Sequence, residues 1–535
     1  MTSNSLLCIL FCVIALALNL YRLGVPGVWF DEAFSVELAR QPLPLLWHII
    51  FGPEPNMELY YLLLHAWLAV TAWWGMHPTE FVVRFPSAIF AALSVVVVFL
   101  LGQHLSGRTV GIVAASLYLL NDLQLVYAQQ ARSYSLQLLL VCLAWYALFH
   151  ATLDEARQWR WWLCFVIATT LALYAHLFSL FLLLAQLCTF GIWSLSPASR
   201  YKARQQWRAG LLSLICIALL CLPLLPLSLQ PPKTDWLPVP HVRDLALLLF
   251  TISGANKIYA CMIVACCGLT LCSALARVFS RSQGTLGWRG WDMCPYLKCI
   301  APCGYPGARG TAILPALLCW LFVPIIVTFV LSQGSIRLFS SRYLVTAVPP
   351  LLLLVAMGIT TVRWRYVRLV LTLGLLLLAL QSVPFYYSSA QVEDWNTATF
   401  WLEHQYQTGD GLVCYDNAVE QGCQIAVEYY LHAYPSAAHF TSDAPGAFFW
   451  TTFRSDHPEA AVDPLDLATF AAKHTRLFFI VGRLPNARAA LLARQAQQWL
   501  DSRYHCIAQI VTRTVTVRLY MTEHTVVLKT PGGIS

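Results

Sequence analysis

Long apolar runs separated by short polar segments dominate the first 390 residues of the chain. Most runs approach or reach the roughly 20 residues that an α-helix needs to cross a hydrocarbon core. The runs lie near residues 6–21, 59–74, 81–104, 110–126, 134–150, 161–176, 177–193, 210–229, 257–277, 311–331, 343–361 and 367–385. This pattern predicts an α-helical polytopic membrane protein. The first run has no basic leader, so we expect an uncleaved helix rather than a signal peptide.

The pattern changes near residue 389, where polar residues and short alternating runs appear. Alternation over residues 411–415, 477–481 and 512–520 predicts strands. Apolar spacing over residues 395–407, 424–433 and 487–500 predicts helices between them. Mixed strands and helices of this kind form compact α/β domains. We therefore predict a membrane domain over residues 1–388 and an extracytoplasmic α/β domain over residues 389–535.

Composition supports the membrane assignment and excludes some partners. The chain is 58% hydrophobic and 11% charged, with a mean hydropathy of +0.62, far from the balance of a soluble protein. The formal charge of +8 comes mostly from short loops between apolar runs. Because no basic face is formed, we expect the lipid bilayer as a partner and no nucleic acid.

The positions of Lys and Arg predict the orientation, since positively charged loops stay in the cytoplasm. Basic loops fall at residues 157–160, 200–208, 277–309 and 363–368. Counting outward from them puts the N-terminus in the cytoplasm and the C-terminal domain outside the cell membrane. If residues 59–74 also crossed the membrane fully, every later loop would change sides. We therefore expect residues 59–74 to dip into the outer leaflet or lie on it, which leaves about eleven crossings.

The 18 cysteines indicate little about metals. Cys294, Cys299 and Cys303 form a small cluster, but their intervals do not match a zinc pattern and no fourth ligand is evident. One disulfide is expected among Cys414, Cys423 and Cys506, and the sequence leaves the pairing open.

Two adjacent carboxylates, Asp31 and Glu32, follow the first apolar run by about ten residues, where that helix should leave the bilayer. A carboxylate at this boundary loses hydration, so it persists where it is paired, binds a cation or takes part in proton chemistry. The alternative is a solvated loop. Other polar residues expected on the same outer face favour a functional site.

The predicted topology collects acids, cations and aromatic residues on the outer face. They are Asp31, Glu32, Glu54, Glu58, Asp122, Gln130, Arg132, Tyr134, His176, Lys233, Asp235, Lys257, Arg342 and Tyr343. Such a set suits a substrate with an apolar tail and an anionic head, because guanidinium groups match phosphate oxygens. The sequence contains no Walker loop, no GxGxxG, no HExxH and no nucleophile elbow.

Several segments resemble one family of bacterial membrane enzymes. The segments are WFDEAFS (29–35), LYYLLLH (59–65), RFPSA (84–88), YAQQARSYSL (127–136) and LYAH (173–176), with later echoes in SRYL (341–344) and EDW (393–395). In order and spacing they resemble the GT-C class of glycosyltransferases, in the protein O-mannosyltransferase and aminoarabinose-transferase group often called family 39. The likeness is good over the first 190 residues and weaker afterwards.

The resemblance implies a GT-C fold and an inverting transfer of a sugar from a polyprenyl-phosphate donor to a hydroxyl acceptor on the outer face. Asp31 is then the expected base, with Glu32 beside it. Arg132, Arg342 and His176 are expected to hold the donor phosphate. Glu58, Asp122, Tyr134 and Tyr343 are expected to bind substrate. A divalent cation, Mg²⁺ or Mn²⁺, is a further expectation at Asp31 and Glu32.

Each of these roles has an alternative. Arg132 could extend to lipid headgroups, and His176 could be an interfacial histidine without a catalytic part. Tyr134 and Tyr343 also suit an aromatic belt. Asp122 could neutralise Arg132, and Glu32 could orient Asp31 instead of binding a cation.

Two departures from the family pattern weaken a metal-binding role for the loop before residue 59. Asn56, Met57 and Glu58 replace the usual His-Pro-Pro, and Gln130 replaces a usual Glu.

Other functions fit the pattern less well. A transporter of an anionic or lipid-linked substrate is the main alternative, but it should show charges near the bilayer midplane and matched halves. A polysaccharide ligase or polymerase should carry a large outer loop between late helices. A purely structural protein gains nothing from carboxylates that have lost their hydration.

Overall fold

A computed structural model describes most of the chain. It covers residues 3–52, 56–154, 158–195, 200–229, 234, 237–286, 307–407, 409–415, 422–433, 471–472, 474–483 and 487–521. The chain forms two compact units. The first unit comprises Met1–Leu23, Trp47–Leu63 and Arg84–Ala390, and the second comprises Gly24–Leu46, Leu64–Val83 and Gln391–Ser535. The predicted boundary at residues 388 and 389 stays a prediction.

Helices account for most of the described chain. They are α1 (Ser3–Leu20), α2 (Phe30–Ala39), α3 (Leu43–Ile50), α4 (Glu58–Trp73), α5 (Glu80–Ser106), α6 (Arg108–Leu119), α7 (Asp122–Ala128), α8 (Tyr134–Leu153), α9 (Gln158–Ala175) and α10 (Ser179–Leu195). They continue with α11 (Arg200–Leu220), α12 (Leu225–Ser228), α13 (Val242–Ile252), α14 (Lys257–Leu286), α15 (Gly307–Leu331), α16 (Val348–Thr361), α17 (Arg365–Ser389), α18 (Trp395–Gln405), α19 (Gly422–Ala433) and α20 (Ala487–Asp501). Short 3₁₀ turns at Leu222–Leu224 and Leu344–Ala347 precede α12 and α16.

The helices confirm a polytopic membrane protein. Within the described residues, seven helices are long and apolar enough to cross a bilayer, or nine if each of two bent pairs is one span. The bend between α6 and α7 is 62°. It lies at Asn121, whose side chain accepts a hydrogen bond from the Gln124 N–H at 3.4 Å and so begins a new helix. The expected number of about eleven crossings is not confirmed. The expected place of α4 at the outer leaflet stays a prediction.

The first unit is held together by close helix packing. Helix α8 packs against α9, α10 against α15, and α14 against α16. The approach of α14 to α16 depends on Gly358, because a Cβ there would collide with the Cys266 carbonyl oxygen. The Thr270 hydroxyl also donates to the Leu354 carbonyl at 2.7 Å across this pair. Small residues and interhelical hydrogen bonds drive helix association in lipid, where a hydrophobic driving force between helices is absent.

Buried amides join other parts of the first unit. Gln129 Nε2 donates to the carbonyls of Asn19 (2.9 Å) and Tyr21 (2.8 Å), and its Oε1 accepts from the Tyr386 hydroxyl at 2.9 Å. Gln137 Nε2 donates to Ser179 Oγ at 3.0 Å, which joins α8 to α10. These bonds hold the segment before α8 in place.

The second unit contains a four-stranded sheet. Its strands are β1 (Gly411–Tyr415), β2 (Arg476–Val481), β3 (His505–Val511) and β4 (Thr516–Met521), in the order β1-β2-β4-β3. β1 and β2 are parallel, while β4 is antiparallel to β2 and β3. Helix α20 covers one face, where Leu500 joins Val413, Leu477, Phe479 and Tyr520 in a buried core. The predicted α/β class is confirmed.

The disulfide joins Cys414 to Cys423, with Cα atoms 5.6 Å apart. It links β1 to α19. Cys506 lies half-buried in β3 as a free thiol. The cluster of Cys294, Cys299 and Cys303 lies outside the described residues.

We predict that Gly358→Ala destabilises the first unit by about 1–3 kcal/mol, because the added methyl forces α14 and α16 apart. Gly268→Ala is the matched control, since nothing lies within 4 Å of its added Cβ and alanine favours a helix over glycine. Thermal unfolding of the purified protein in detergent measures both. Equal melting temperatures for the two variants would contradict the packing described for this helix pair.

Candidate functional site

The acid pair lies in the second unit, in the first turn of α2. Glu32 is fully buried, and its Oε2 accepts a hydrogen bond from the Trp29 N–H at 3.5 Å. This contact stabilises the start of the helix, as an acidic residue at the third helical position often does. Asp31 is half-buried.

Side chains from the C-terminal part of the second unit hold the segment ahead of Asp31. Three backbone N–H groups of this segment donate hydrogen bonds to those side chains. Gly27 donates to Gln391 Oε1 (2.8 Å), Val28 to the Tyr430 hydroxyl (2.7 Å) and Phe30 to Glu393 Oε2 (3.1 Å). Because the first N–H groups of a helix have no intrahelical partner, these bonds fix where α2 begins.

Glu393 is the central residue of this support. Its Oε2 also accepts from Trp395 Nε1 at 2.7 Å, and the Trp395 ring packs closely against Gly482. Burial raises the pKa of Glu393, these two hydrogen bonds lower it, and the nearby Asp31 carboxylate raises it further. In the sequence, Glu393 belongs to the EDW segment (393–395), where the resemblance to the family is weak. No local signal indicated its contact with residue 30.

Arg132 lies in the first unit, on a tight turn ahead of α8. The Ser135 hydroxyl donates to the Tyr127 carbonyl at 2.6 Å across this turn. Ser87 Oγ donates to the Arg132 carbonyl at 3.4 Å. Arg132 is half-buried and acts electrostatically on His176. A fixed turn and a nearby histidine favour a site role over simple extension to headgroups.

His176 lies between the ends of α9 and α10 and is buried. Its Nδ1 accepts a hydrogen bond from the Phe178 N–H at 3.2 Å, so in the neutral ring the proton lies on Nε2. No described residue accepts a hydrogen bond from Nε2. This buried N–H is a potential hydrogen-bond donor to a bound group.

Aromatic rings surround His176 in the first unit. Its ring centroid lies 5.7 Å from that of Tyr134 and 5.5 Å from that of Tyr343. The ring centroid of Tyr127 lies 4.7 Å from that of Tyr134, and the Arg342 guanidinium acts electrostatically on Tyr127. Arg132 and Arg342 thus flank one cluster of rings. Tyr127 was not among the predicted site residues, although it lies in the quoted YAQQARSYSL segment.

The two remaining acids lie at the edges of this cluster. Asp122 acts electrostatically on Tyr127 and Tyr259. Glu58 is buried and acts electrostatically on Tyr174, two residues before His176.

The first unit thus brings Arg132, Arg342, His176, Tyr134 and Tyr343 together, with Asp122 and Glu58 beside them. Asp31 and Glu32 belong to the second unit. Glu54, Lys233 and Asp235 lie outside the described residues.

Known proteins share both sequence and structural features with the chain. Residues 60–221 match the family model described as dolichyl-phosphate-mannose-protein mannosyltransferase. ArnT from Cupriavidus metallidurans, in the apo state, has a similar structure, with a TM-score of 0.54 and 11% identity, over 96% of this chain and 98% of that chain. The chain has the fold of the GT-C glycosyltransferases. No curated protein sequence matches it.

Further solved structures share the fold. The ArnT structure bound to undecaprenyl phosphate matches with a TM-score of 0.53, at 11% identity and the same coverage. An oligosaccharyltransferase from Archaeoglobus fulgidus matches with a TM-score of 0.50 at 12% identity, over 95% of this chain and 72% of that chain. These matches confirm the predicted GT-C fold and the sequence resemblance.

Potential metal ligands converge at one place in the described part of the chain. Within the described ranges, a single group of three converging His, Cys, Asp or Glu ligands exists, and it comprises His104, His150 and Asp154. Asp31 and Glu32 are not part of it, and Glu32 accepts a backbone hydrogen bond. We therefore assign no step of the reaction to Mg²⁺ or Mn²⁺ at the acid pair.

We predict that Glu393→Ala destabilises the second unit, because the N–H groups of Phe30 and Trp395 lose their acceptor. A buried donor without a partner costs about 1–3 kcal/mol. Glu393→Gln is the matched control, since its amide oxygen still accepts both bonds. Thermal unfolding in detergent measures the difference, and equal stability of the two variants would show that Glu393 does not support α2.

Proposed function

We propose that the chain transfers a sugar from a polyprenyl-phosphate donor to a hydroxyl acceptor, with inversion at the anomeric carbon, on the outer face of the membrane. The observation that carries the proposal is the cluster in the first unit, where Arg132 and Arg342 act electrostatically on a group of aromatic rings that includes His176. A similar fold, that of ArnT, has been solved with undecaprenyl phosphate bound.

The cluster has the chemistry of a phosphate site. Two guanidinium groups provide permanent positive charge and paired N–H donors that match phosphate oxygens. The Nε2–H of His176 adds a neutral donor. As the donor's glycosidic bond breaks, charge grows on the phosphate, and fixed donors of this kind stabilise it.

Asp31 supplies the base in this proposal. The acceptor hydroxyl oxygen bonds to the anomeric carbon while the bond from that carbon to the phosphate oxygen breaks. The hydroxyl proton passes to the Asp31 carboxylate, and the polyprenyl phosphate leaves with the bonding electron pair. A single displacement of this kind inverts the anomeric carbon and needs no second carboxylate as nucleophile.

The proposal includes an orientation. The chain is a multi-pass membrane protein with its N-terminus in the cytoplasm and its C-terminal domain outside. The arrangement of basic loops supports this direction, and it gives the C-terminal domain access to acceptors on the outer face.

We predict that Asp31→Asn abolishes sugar transfer in reconstituted vesicles, because an amide cannot take up the hydroxyl proton. The variant should insert and fold normally, since Asp31 is half-buried and the side-chain shape is kept. Glu37→Gln removes another carboxylate from α2 and is the matched control. Full activity of Asp31→Asn would remove Asp31 from the mechanism.

We predict that Arg342→Ala raises the KM for the lipid donor by about 10- to 100-fold, since a hydrogen bond to a charged group contributes about 1.5–3 kcal/mol. The KM for the acceptor should change little. Arg363→Ala, at an exposed arginine in a predicted cytoplasmic loop, is the control. An equal rise in both constants would argue against a phosphate role for Arg342.

A further inference from the structure

A second cluster of chemical groups lies at another part of the first unit. His104 is in the last turn of α5, and His150 and Asp154 lie at the end of α8. The N-terminal end of α1 is at the same place, because Arg108, just after α5, donates to Ser3 Oγ at 2.7 Å. None of these residues takes part in the proposed transfer chemistry.

The three side chains converge. His150 Nδ1 lies 2.5 Å from Asp154 Oδ2, and His104 Nε2 lies 4.0 Å from Asp154 Oδ1. One ligand atom from each residue lies within 4.8 Å of the others. Ligand atoms around a tetrahedral zinc ion are about 3.4 Å apart, given bonds of about 2.0–2.2 Å. The observed separations of 2.5 and 4.0 Å bracket this value.

The helices position these ligands in advance. His150 and Asp154 are four residues apart, so they lie on one face of α8, and the Asp154 N–H donates to the His150 carbonyl at 3.2 Å. The ring of Trp161 stacks on His150 with centroids 4.3 Å apart, and Tyr146 contacts it edge-on at 4.4 Å. Packing thus restricts the rotation of the imidazole, which lowers the cost of ordering it on binding.

The donor set selects the class of ion. Two imidazoles and one carboxylate suit Zn²⁺ and similar transition-metal ions, whereas Mg²⁺ and Ca²⁺ prefer oxygen ligands. The ends of α5 and α8 are also C-terminal helix ends, whose exposed carbonyls favour a nearby cation.

We propose that His104, His150 and Asp154 bind one divalent transition-metal ion of the zinc class, which ties α5 to α8. The alternative is a metal-free His-Asp hydrogen bond with the second histidine stacked on it. The proposed site binds one metal ion per chain, whereas the metal-free alternative binds none.

The test uses the full-length protein purified in detergent, stripped with a chelator and titrated with Co²⁺ and then Zn²⁺. Visible absorption of bound Co²⁺ reports tetrahedral coordination, and calorimetry counts Zn²⁺ equivalents. His104→Ala and Asp154→Asn should each bind one equivalent fewer than the wild type. His48→Ala, at an exposed histidine on α3, and Asp31→Asn should retain that equivalent.

A stability measurement separates loss of the site from loss of the fold. Zn²⁺ should raise the melting temperature of the wild type and of His48→Ala, because a ligand that binds the folded state stabilises it. It should not raise that of Asp154→Asn, whose shape is unchanged. A wild type that binds no Co²⁺, or equal stoichiometry in all variants, would overturn the proposal whether or not sugar transfer is observed.

Discussion

Polar groups in a membrane protein must find partners within the protein, because the hydrocarbon core supplies none. This constraint organises the first unit. Gln129 and Gln137 use their amides to join distant segments, and the Arg132 turn is closed by hydroxyl groups. His176 Nε2 is one of several buried side-chain atoms of this unit for which no described residue supplies a hydrogen-bond partner. In our account, the missing acceptor is a phosphate oxygen of the donor.

The second unit is held together by contacts between residues far apart in the chain. Its disulfide ties α19 to β1, and Tyr430 of α19 accepts the Val28 N–H just ahead of the acid pair. Side chains of Gln391, Glu393 and Tyr430 therefore support the helix that carries Asp31, although they lie far along the chain from it. The C-terminal part of the chain thus fixes the start of α2, through side chains that accept backbone hydrogen bonds.

Sequence patterns predicted what local constraints dictate. A helix that must cross hydrocarbon has a minimum apolar length, so the run at residues 134–150 corresponds to Tyr134–Leu153. Strand β3 was not predicted, and its residues alternate between exposed and half-buried positions at the edge of the sheet. Contacts between residues far apart in the chain produce no periodic pattern in the sequence. The bond from Phe30 to Glu393 spans 363 residues, and the choice of Cys423 as disulfide partner depended on a Cα separation that only the fold provides.

Consumption of a lipid-linked sugar is the central claim, and mass spectrometry of lipids from cells with and without this chain tests it directly. We predict that a polyprenyl-phosphate-linked hexose or pentose accumulates in cells lacking the chain, while one glycan, lipid or protein loses that sugar. Supplying the wild-type chain should reverse both changes. An unchanged lipid pool together with unchanged glycans would contradict the account.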